Sequence, residues 1–225
     1  MKLIVVSNSD KPVEEEDIIA KMFADRSIEE SAIVTKMFEN GLQTFHLRKP
    51  EYSSETLKEY LIQIPSIFHN RIILHSHHHL AGKFLLKGIH INKSDINKVF
   101  KTKLKLWFFR INNPRLMLTT SYSKPSKLFE KESFFFNYVF LSPIFNNITG
   151  VLISRIQENT LKAVLLRTSH KVIARGGISV EKVGQVHDLG FAGMAVHSSI
   201  WKKQDPLGEF IAFKNKFKEL NIELE

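Results

Sequence analysis

The stretch from residue 171 to residue 200 concentrates residue types that bind anions. A short apolar run ends at Gly176 and Gly177, a helical segment follows, and a second apolar run precedes Ser198 and Ser199. Glycines let a backbone approach an anion closely, and the free amides at the start of a helix add partial positive charge. We therefore predict that these four residues bind a phosphate group. The alternative is that the glycines serve only to make tight turns.

Eight short apolar runs alternate with amphipathic stretches along almost the whole chain. We predict strands at residues 2–6, 44–47, 71–74, 88–91, 116–119, 138–141, 172–174 and 193–196. We predict helices at residues 27–40, 53–64, 78–86, 124–132, 154–166, 180–188 and 206–220, and a short helix or none in the Lys- and Asn-rich region 92–115. This alternation in 225 residues predicts one α/β domain, residues 1–225, folded as a single (β/α)8 TIM barrel. A doubly wound open sheet, which needs fewer strands, is the alternative.

In a parallel barrel the chemistry lies at the C-terminal ends of the strands. The residues at those positions are polar and cationic, with Asp95 as the one obvious carboxylate: Ser7, Asn8, His46, Arg48, Lys49, His75, Ser76, His77, His90, Asn92, Asp95, Thr119, Thr120, Tyr122, Ser142, Asn146, Asn147, Thr149, Arg175, Gly176, Gly177, His197, Ser198 and Ser199. Such a set predicts a small substrate with several negative charges, held by arginine, lysine and backbone amides.

A run of histidines follows the third predicted strand. On an extended segment His75, His77 and His79 would share one side and could bind a transition metal. No carboxylate lies beside them in the sequence to fix their rings, so the run could equally be a solvated turn.

Composition narrows the classes of function. The chain has no cysteine, which excludes disulfides, thiolate metal sites and cysteine nucleophiles. The net charge is +9. The densest cluster of basic residues consists of Lys98, Lys101, Lys103 and Lys105, and we interpret it as a solvated face because no nucleic-acid-binding motif accompanies it. The apolar run at residues 2–6 is too short for a signal core or a membrane span. We expect a cytoplasmic protein that contacts neither nucleic acid nor membrane.

Four segments carry a resemblance to a known family. FHLRKP at the second strand, GIHINKSDI at the fourth, NYVFLSPIFNNITG at the sixth, and VIARGGI with GFAGMAVHSSI at the last two resemble the thiamine phosphate synthase and thiazole tautomerase family. The resemblance implies a single (β/α)8 barrel. For a synthase it implies the joining of a hydroxymethylpyrimidine diphosphate to a thiazole phosphate, with release of diphosphate and use of Mg²⁺.

The resemblance also implies roles for individual residues. Arg48 corresponds to the arginine that holds the diphosphate and Asp95 to a metal-binding aspartate. On this basis we assign catalytic roles to Arg48, Lys49 and Tyr122, and metal binding to Asp95. The expected substrate-binding residues are His46, His75, Thr120, Asn147, Thr149, Gly176, Gly177, Ser198 and Ser199.

The chain departs from the family pattern at the diphosphate end. His46-Leu47-Arg48-Lys49 replaces Gln-x-Arg-x-Lys, which displaces the lysine by one residue, and His75-Ser76 replaces Asn-Asp. Gly150 stands where the sixth-strand loop of the family has lysine, and Tyr122 stands where the fifth strand has histidine. We therefore expect a weakened Mg²⁺ site, with Lys49, His46 and the histidine run as compensating groups.

Three functions fit this sequence. The first is a divergent thiamine phosphate synthase, a transferase that acts on small anionic substrates. The second is a metal-independent thiazole tautomerase-like isomerase, and the third is a non-catalytic relative that binds phosphate ligands. The phosphate-binding residues at the last two strands agree with all three, so the diphosphate end must separate them.

Overall fold

A computed structural model describes residues 1–8, 16–146 and 158–225, with only the backbone described for residues 16–27. Its strands are β1 (Lys2–Val6), β2 (Phe45–Leu47), β3 (Ile72–Leu74), β4 (Gly88–His90), β5 (Met117–Tyr122), β6 (Tyr138–Leu141), β7 (Val172–Arg175) and β8 (Gly193–Val196). All neighbouring strands are parallel, and β1 pairs with both β2 and β8, so the sheet closes on itself. The prediction of a (β/α)8 barrel is confirmed, and the open sheet is excluded.

The strands are buried on both faces, as parallel sheets are when helices cover them. Side chains of alternate residues point into the barrel, where they form one apolar cluster of Ile4, Val6, Ile73, Tyr138, Phe140, Ile173 and Ala195. The intervening residues point outward and pack against the helices in a larger cluster that includes Phe210, Phe213 and Phe217. This period of two decides which strand-end residues reach the interior of the barrel.

The α-helices of the described residues are α1 (Glu16–Glu39), α2 (Ser54–Gln63), α3 (Leu80–Lys83), α4 (Lys93–Asn97), α5 (Val99–Asn112), α6 (Glu158–Arg167), α7 (Val183–Asp188), α8 (Ser198–Trp201) and α9 (Pro206–Glu219). Ser53 caps α2 by accepting a hydrogen bond from the Thr56 amide at 3.1 Å. None of these helices is long and apolar enough to cross a membrane.

Several predicted helices differ from those in the structure. Region 92–115 contains two helices, α4 and α5, so the prediction of a short helix or none is wrong. The sequence pattern failed here because α5 carries apolar residues on two opposite faces, which hides the single apolar face of an ordinary amphipathic helix. The predicted helix at 78–86 shortens to α3, which is followed by Leu85 with a positive φ of 51°. Only a 3₁₀ turn, Pro125–Phe129, forms within 124–132. Residues 154–157 of another predicted helix lie outside the described residues.

Candidate active site at the C-terminal mouth of the barrel

The predicted phosphate-binding residues come together in one pocket. Gly176 and Gly177 follow β7 with φ of 94° and 64°, and Ser198 and Ser199 begin α8 after β8. A cavity of about 230 Å³ lies between these two strand ends, lined also by Arg175 and His197. The turn therefore combines glycine backbone, the first amides of a helix, and two basic side chains around a space of phosphate size.

Gly177 is required by the packing of the neighbouring loop. A Cβ atom at this position would lie 2.4 Å from the carbonyl oxygen of Phe145. The Phe145 amide donates in turn to the Gly176 carbonyl oxygen at 3.1 Å. The glycines thus make a tight turn that holds the loop after β6 against the cavity, and the binding of phosphate there stays a prediction.

Two arginines bring positive charge to the mouth. Arg175, at the end of β7, lies over the Phe140 ring with its guanidinium carbon 5.9 Å from the ring centroid. Arg48 has an exposed side chain, and its backbone is fixed by Ser7, whose Oγ accepts from the Arg48 amide at 2.8 Å. Burial lowers the pKa of Arg175, and repulsion from Arg48 lowers it further. An anion between them would relieve this repulsion.

Three histidines from neighbouring strands meet inside the barrel, just below the arginines. His46 Nδ1 lies 2.8 Å from His75 Nε2, and the His75 and His90 rings stack with centroids 4.1 Å apart. The Tyr138 hydroxyl lies 2.5 Å from His46 Nε2. His90 contacts Thr119 Oγ1 at 2.8 Å and Ser121 Oγ at 3.0 Å. Each ring is therefore held by hydrogen bonds rather than by packing alone.

These histidines are neutral at physiological pH. Burial lowers the pKa of His90 to about 3, with further lowering by Arg175. Burial is likewise the main cause that holds the pKa values of His46 and His75 well below the ordinary range, and in both His90 adds to it. Neutral imidazoles offer one donor and one acceptor each, so the cluster can pass a proton or bind a metal but supplies no permanent charge.

The structure gives Lys49 a partner other than an anionic ligand. Its side chain is 2% exposed, and Nζ lies 2.5 Å from a carboxylate oxygen of Glu30 in α1. The His46 side chain points into the barrel interior, and Arg48, two residues later, reaches the mouth. Lys49 turns toward α1, because successive side chains of an extended segment point to opposite sides. Lys49 therefore joins β2 to α1 in a buried ion pair, and this orientation does not support the catalytic role predicted for it.

Thr120 and Tyr122 point out of the barrel. Thr120 Oγ1 donates to the Ile91 carbonyl oxygen at 2.9 Å, and the Tyr122 hydroxyl donates to Glu132. Thr119 and Ser121, one residue away from each, are the side chains of β5 that reach the histidines. The roles predicted for Thr120 and Tyr122 in substrate binding and catalysis are thus not supported by their orientation.

Asp95 forms a capping box with Asn92, the N-cap residue of α4. Its carboxylate accepts from the Asn92 amide at 3.1 Å while its own amide donates to Asn92 Oδ1 at 3.0 Å. Mg²⁺ prefers hard oxygen ligands, whereas the group of three ligand-bearing side chains within the described ranges, His46, His75 and His90, offers only nitrogen. Among the described residues this group of three therefore does not fit Mg²⁺, and the metal-binding role predicted for Asp95 stays a prediction.

The predicted metal site at His75, His77 and His79 does not form. The chain turns at His77, whose φ is 47°, so the segment is not extended. His77 Nε2 lies 2.9 Å from the Tyr52 carbonyl oxygen, and His79 Nε2 lies 3.0 Å from Ser54 Oγ. Asn147, Thr149 and Gly150 lie outside the described residues, so their predicted places in the loop stay predictions.

The site includes residues to which the sequence analysis gave no role. Arg175, His90, His197 and Thr119 were noted at strand ends, and Tyr138 was not noted at all. Counting in steps of two from one interior residue, as from Tyr138 to Phe140 or from Ile173 to Arg175, would have found those that face inward. The pairing of His46 with His75 and Tyr138 needs the closed barrel, because 29 and 92 residues separate these partners in the chain.

Comparison with known proteins gives a consistent result. A thiamine-phosphate synthase from Ruminiclostridium cellulolyticum is 23% identical over 168 residues, covering 73% of this chain and 77% of that protein. Another from Limosilactobacillus reuteri is 24% identical over 149 residues, covering 65% and 66%. The crystal structure of thiamine phosphate pyrophosphorylase from Bacteroides thetaiotaomicron is 28% identical, covers 99% of both chains and superposes with a TM-score of 0.69.

A more distant structure shares the fold. The thiamine phosphate pyrophosphorylase from Pyrococcus furiosus is 16% identical, with a TM-score of 0.69 over 97% of this chain and 96% of that chain. The family described as thiamine monophosphate synthase matches residues 19–200, which include every strand from β2 to β8. The chain therefore belongs to the thiamine monophosphate synthase family, as a divergent member.

Proposed function

We propose that this protein is a divergent thiamine phosphate synthase, a transferase that joins a hydroxymethylpyrimidine diphosphate to a thiazole phosphate. The observation that carries the proposal is the pairing of a phosphate-sized pocket at β7 and β8 with Arg48 and Arg175 at the same mouth. The pocket at β7 and β8 suits a phosphomonoester, and the two arginines suit a group with more negative charge. Two anionic substrates that react with each other require such an arrangement.

The thiazole phosphate fits the pocket between β7 and β8. Backbone amides around Gly177 and Ser198 would donate to the phosphate oxygens, and Arg175 lines the same cavity. Because the donors belong to a tight turn and to the start of α8, they need no rearrangement when the anion binds. This subsite would hold the thiazole ring toward the centre of the barrel.

The diphosphate would bind at Arg48 and Arg175. In the reaction the bond from the pyrimidine methylene carbon to the diphosphate oxygen breaks, and its electron pair leaves with diphosphate. The thiazole nitrogen supplies the pair for the new carbon–nitrogen bond, so no proton needs to move. The barrier depends on the charge that develops on the leaving group, and guanidinium forks bind such oxygens in pairs.

The family uses Mg²⁺ for part of this charge, but the donor set here is a poor one for that ion. The proposal therefore assigns most of the leaving-group stabilisation to Arg48 and Arg175, and we expect a lower rate than in family members with the full set of carboxylates and lysine. A cytoplasmic location remains a prediction that accompanies this function.

The direct test supplies both substrates and Mg²⁺ and measures thiamine phosphate by chromatography. We expect slow formation of thiamine phosphate, and a further loss of about 10²–10³ in rate for Arg48→Ala, because one charged donor to the leaving group is removed. Arg115→Ala is the matched control, since Arg115 is exposed and precedes β5 at the opposite end of the barrel. Full activity of Arg48→Ala would contradict the assignment.

A tautomerase-like isomerase is the second candidate. The observation in its favour is the neutral His75–His46 pair beneath the pocket, because a neutral imidazole can accept a proton that a bound thiazole gives up. Isomerisation of a thiazole phosphate in deuterated water, without diphosphate or metal, would support it. If the protein binds thiazole phosphate but forms neither product, the non-catalytic binding role replaces both.

A further inference from the structure

The three interior histidines have the arrangement of a metal centre. His46, His75 and His90 lie on the adjacent strands β2, β3 and β4, and each offers a ring nitrogen within 4.8 Å of the others. We propose that they bind one divalent transition-metal ion, such as Zn²⁺, with its open position toward the mouth of the barrel. Three imidazoles and one exchangeable position are a common ligand set for Zn²⁺.

Hydrogen bonds to the second nitrogen of the His46 and His90 rings support this proposal. His46 would bind through Nδ1, because its Nε2 lies 2.5 Å from the Tyr138 hydroxyl. His90 would bind through Nε2, so its contact with Ser121, at the more exposed end of β5, would be replaced by the bond to the metal. The contact of 2.8 Å between His90 Nδ1 and the buried Thr119 hydroxyl would remain. Such outer contacts fix the tautomer and the ring orientation of metal-bound histidines.

Metal binding requires a change of tautomer at His46, loss of the contact between His90 and Ser121, and a rotation of the stacked His75 and His90 rings so that their lone pairs converge. His46 Nδ1 and His75 Nε2 are 2.8 Å apart, so one of the two donates to the other, and His75 must carry its proton on Nδ1 to bind the ion through Nε2. If His46 carries its proton on Nε2 and donates it to the Tyr138 oxygen, both Nδ1 of His46 and Nε2 of His75 present lone pairs to the ion. Both rings stay neutral, so this step releases no net proton.

The surrounding charge determines the conditions for binding. Arg175 lies over the Phe140 ring, and the His90 ring stacks on the same phenylalanine, so the guanidinium charge is close to the histidines and opposes a dication alone. An anion at the open position would offset both the ion and the arginines. We therefore expect the metal and an inorganic anion, diphosphate above all, to strengthen each other's binding.

The test titrates Zn²⁺ into metal-free protein by calorimetry, with Co²⁺ absorption as the coordination readout. We expect one Zn²⁺ per chain, tighter with inorganic diphosphate, not displaced by excess Mg²⁺, and a Co²⁺ spectrum of low coordination number. His75→Ala should abolish this binding. His79→Ala is the matched control, because His79 is an exposed histidine of the same segment that lies outside the group of three.

A second variant separates loss of ligation from loss of folding. Tyr138→Phe keeps the ring volume and all three ligands and removes only the contact to His46, and we expect Zn²⁺ affinity to fall about 10–100-fold. Binding that is unchanged in both His75→Ala and Tyr138→Phe, or that is lost in His79→Ala, would overturn the proposal. No substrate is present, so the result does not depend on synthase activity.

A different observation concerns the outer face of α5. Phe100, Leu104, Trp107, Phe108 and Ile111 are all more than half exposed, and they form one stripe at helical spacing. The opposite face carries the buried Thr102 and Leu106, so the stripe points away from the barrel. A contiguous apolar stripe with a tryptophan and two phenylalanines is not an ordinary solvated surface.

Cations flank this stripe on both sides. At ~100° per residue, Lys101 and Lys105 follow one edge of the stripe, and Lys103 and Arg110 follow the other. All four are exposed. We infer that this face binds the surface of an anionic membrane, with the aromatic residues at the level of the headgroups and the cations beside the phosphates. A second copy of the chain would instead bring like charges together.

Sedimentation with lipid vesicles tests this inference. We expect binding to vesicles that contain phosphatidylserine, little binding to pure phosphatidylcholine, and loss of binding in Trp107→Gln/Phe108→Gln. Phe135→Gln is the matched control, since Phe135 is 79% exposed but lies outside α5. If the double variant binds vesicles like the wild type, or only converts a dimer to a monomer in ultracentrifugation, the inference is wrong.

Discussion

Burial controls the chemistry of single side chains in this barrel. The histidines inside the barrel are neutral because burial lowers the pKa of each ring and because the positive charge of Arg175 lowers it further. Arg175 and Arg48 are the groups that we propose to bind the anionic substrates. Neutral rings thus lie close to the guanidinium groups of Arg48 and Arg175, so neutral and cationic groups share a single site.

The buried histidines should make the protein sensitive to acid. The pKa of His90 falls from 6.5 to about 3 on folding, so between these pH values the unfolded chain binds a proton that the folded chain does not. The free energy of unfolding should therefore decrease as the pH falls through this window. His90→Gln should reduce this slope by about 1.4 kcal/mol per pH unit, measured by urea denaturation between about pH 6 and about pH 4. An unchanged slope would contradict this explanation.

At the scale of elements, two contacts fix the loops that form the mouth. The Lys49–Glu30 pair joins the end of β2 to α1, and the close approach of Gly177 to Phe145 joins the turn after β7 to the loop after β6. Neither contact is part of a strand ladder. Both therefore position the site without contributing to closure of the barrel.

Replacement of one partner of the buried ion pair should be costly. Lys49→Met leaves the Glu30 carboxylate buried and without this lysine, and we expect a loss of about 3–5 kcal/mol in the free energy of unfolding. The double variant Lys49→Met/Glu30→Met removes both charges and should recover most of that loss. Chemical denaturation of the two single variants and the double variant measures the coupling. Additive losses would mean that the pair is not a unit.

Gly177→Ala should destabilise the turn after β7. The positive φ of 64° strains any residue with a side chain, and the added Cβ would meet the Phe145 carbonyl oxygen. We expect a loss of about 1–3 kcal/mol by chemical denaturation. Gly82→Ala in α3 is the matched control: nothing lies within 4 Å of its Cβ position, and alanine there should be neutral or stabilising by up to about 1 kcal/mol. Equal effects of both substitutions would argue against a special role for Gly177.

At the scale of the whole molecule, the barrel is closed by the pairing of the first strand with the last. Four residues of β1, Lys2–Val5, are in register with β8. The Trp201 indole donates to the Val6 carbonyl oxygen at 2.6 Å and ties α8 to the same strand. Each strand of the closed sheet pairs with a neighbour on both sides, so the loss of any strand leaves two others unpaired. This arrangement favours unfolding of the barrel as a single cooperative unit.

This closure predicts one unfolding transition for residues 1–225. In a Trp107→Phe variant, the remaining tryptophan, Trp201, reports the junction of β1 and β8, while far-ultraviolet circular dichroism reports all helices. We expect the two signals to give the same denaturation midpoint. Separate midpoints would indicate that the barrel unfolds in parts and would contradict the single-domain prediction.

The sequence by itself determined the class of fold and the residues that line the pocket proposed to bind phosphate. Both signals are local in the chain: apolar runs mark the strands, and glycines or small polar residues mark the ends of the last two strands. A local pattern could therefore find Gly176, Gly177, Ser198 and Ser199. The sequence also identified Arg48 and the loss of family charges near it. It could not find α5, because apolar residues on both faces hide the helical period.

Only the tertiary structure decided which strand-end side chains share the barrel interior. A difference of one residue turned Lys49, Thr120 and Tyr122 away from the interior and brought Thr119 and Ser121 inward, and local pattern at the end of a short strand does not define this register. The His46, His75, His90 and Tyr138 contacts join four strands. They depend on closure of the barrel, a property of the whole sheet that no single segment encodes.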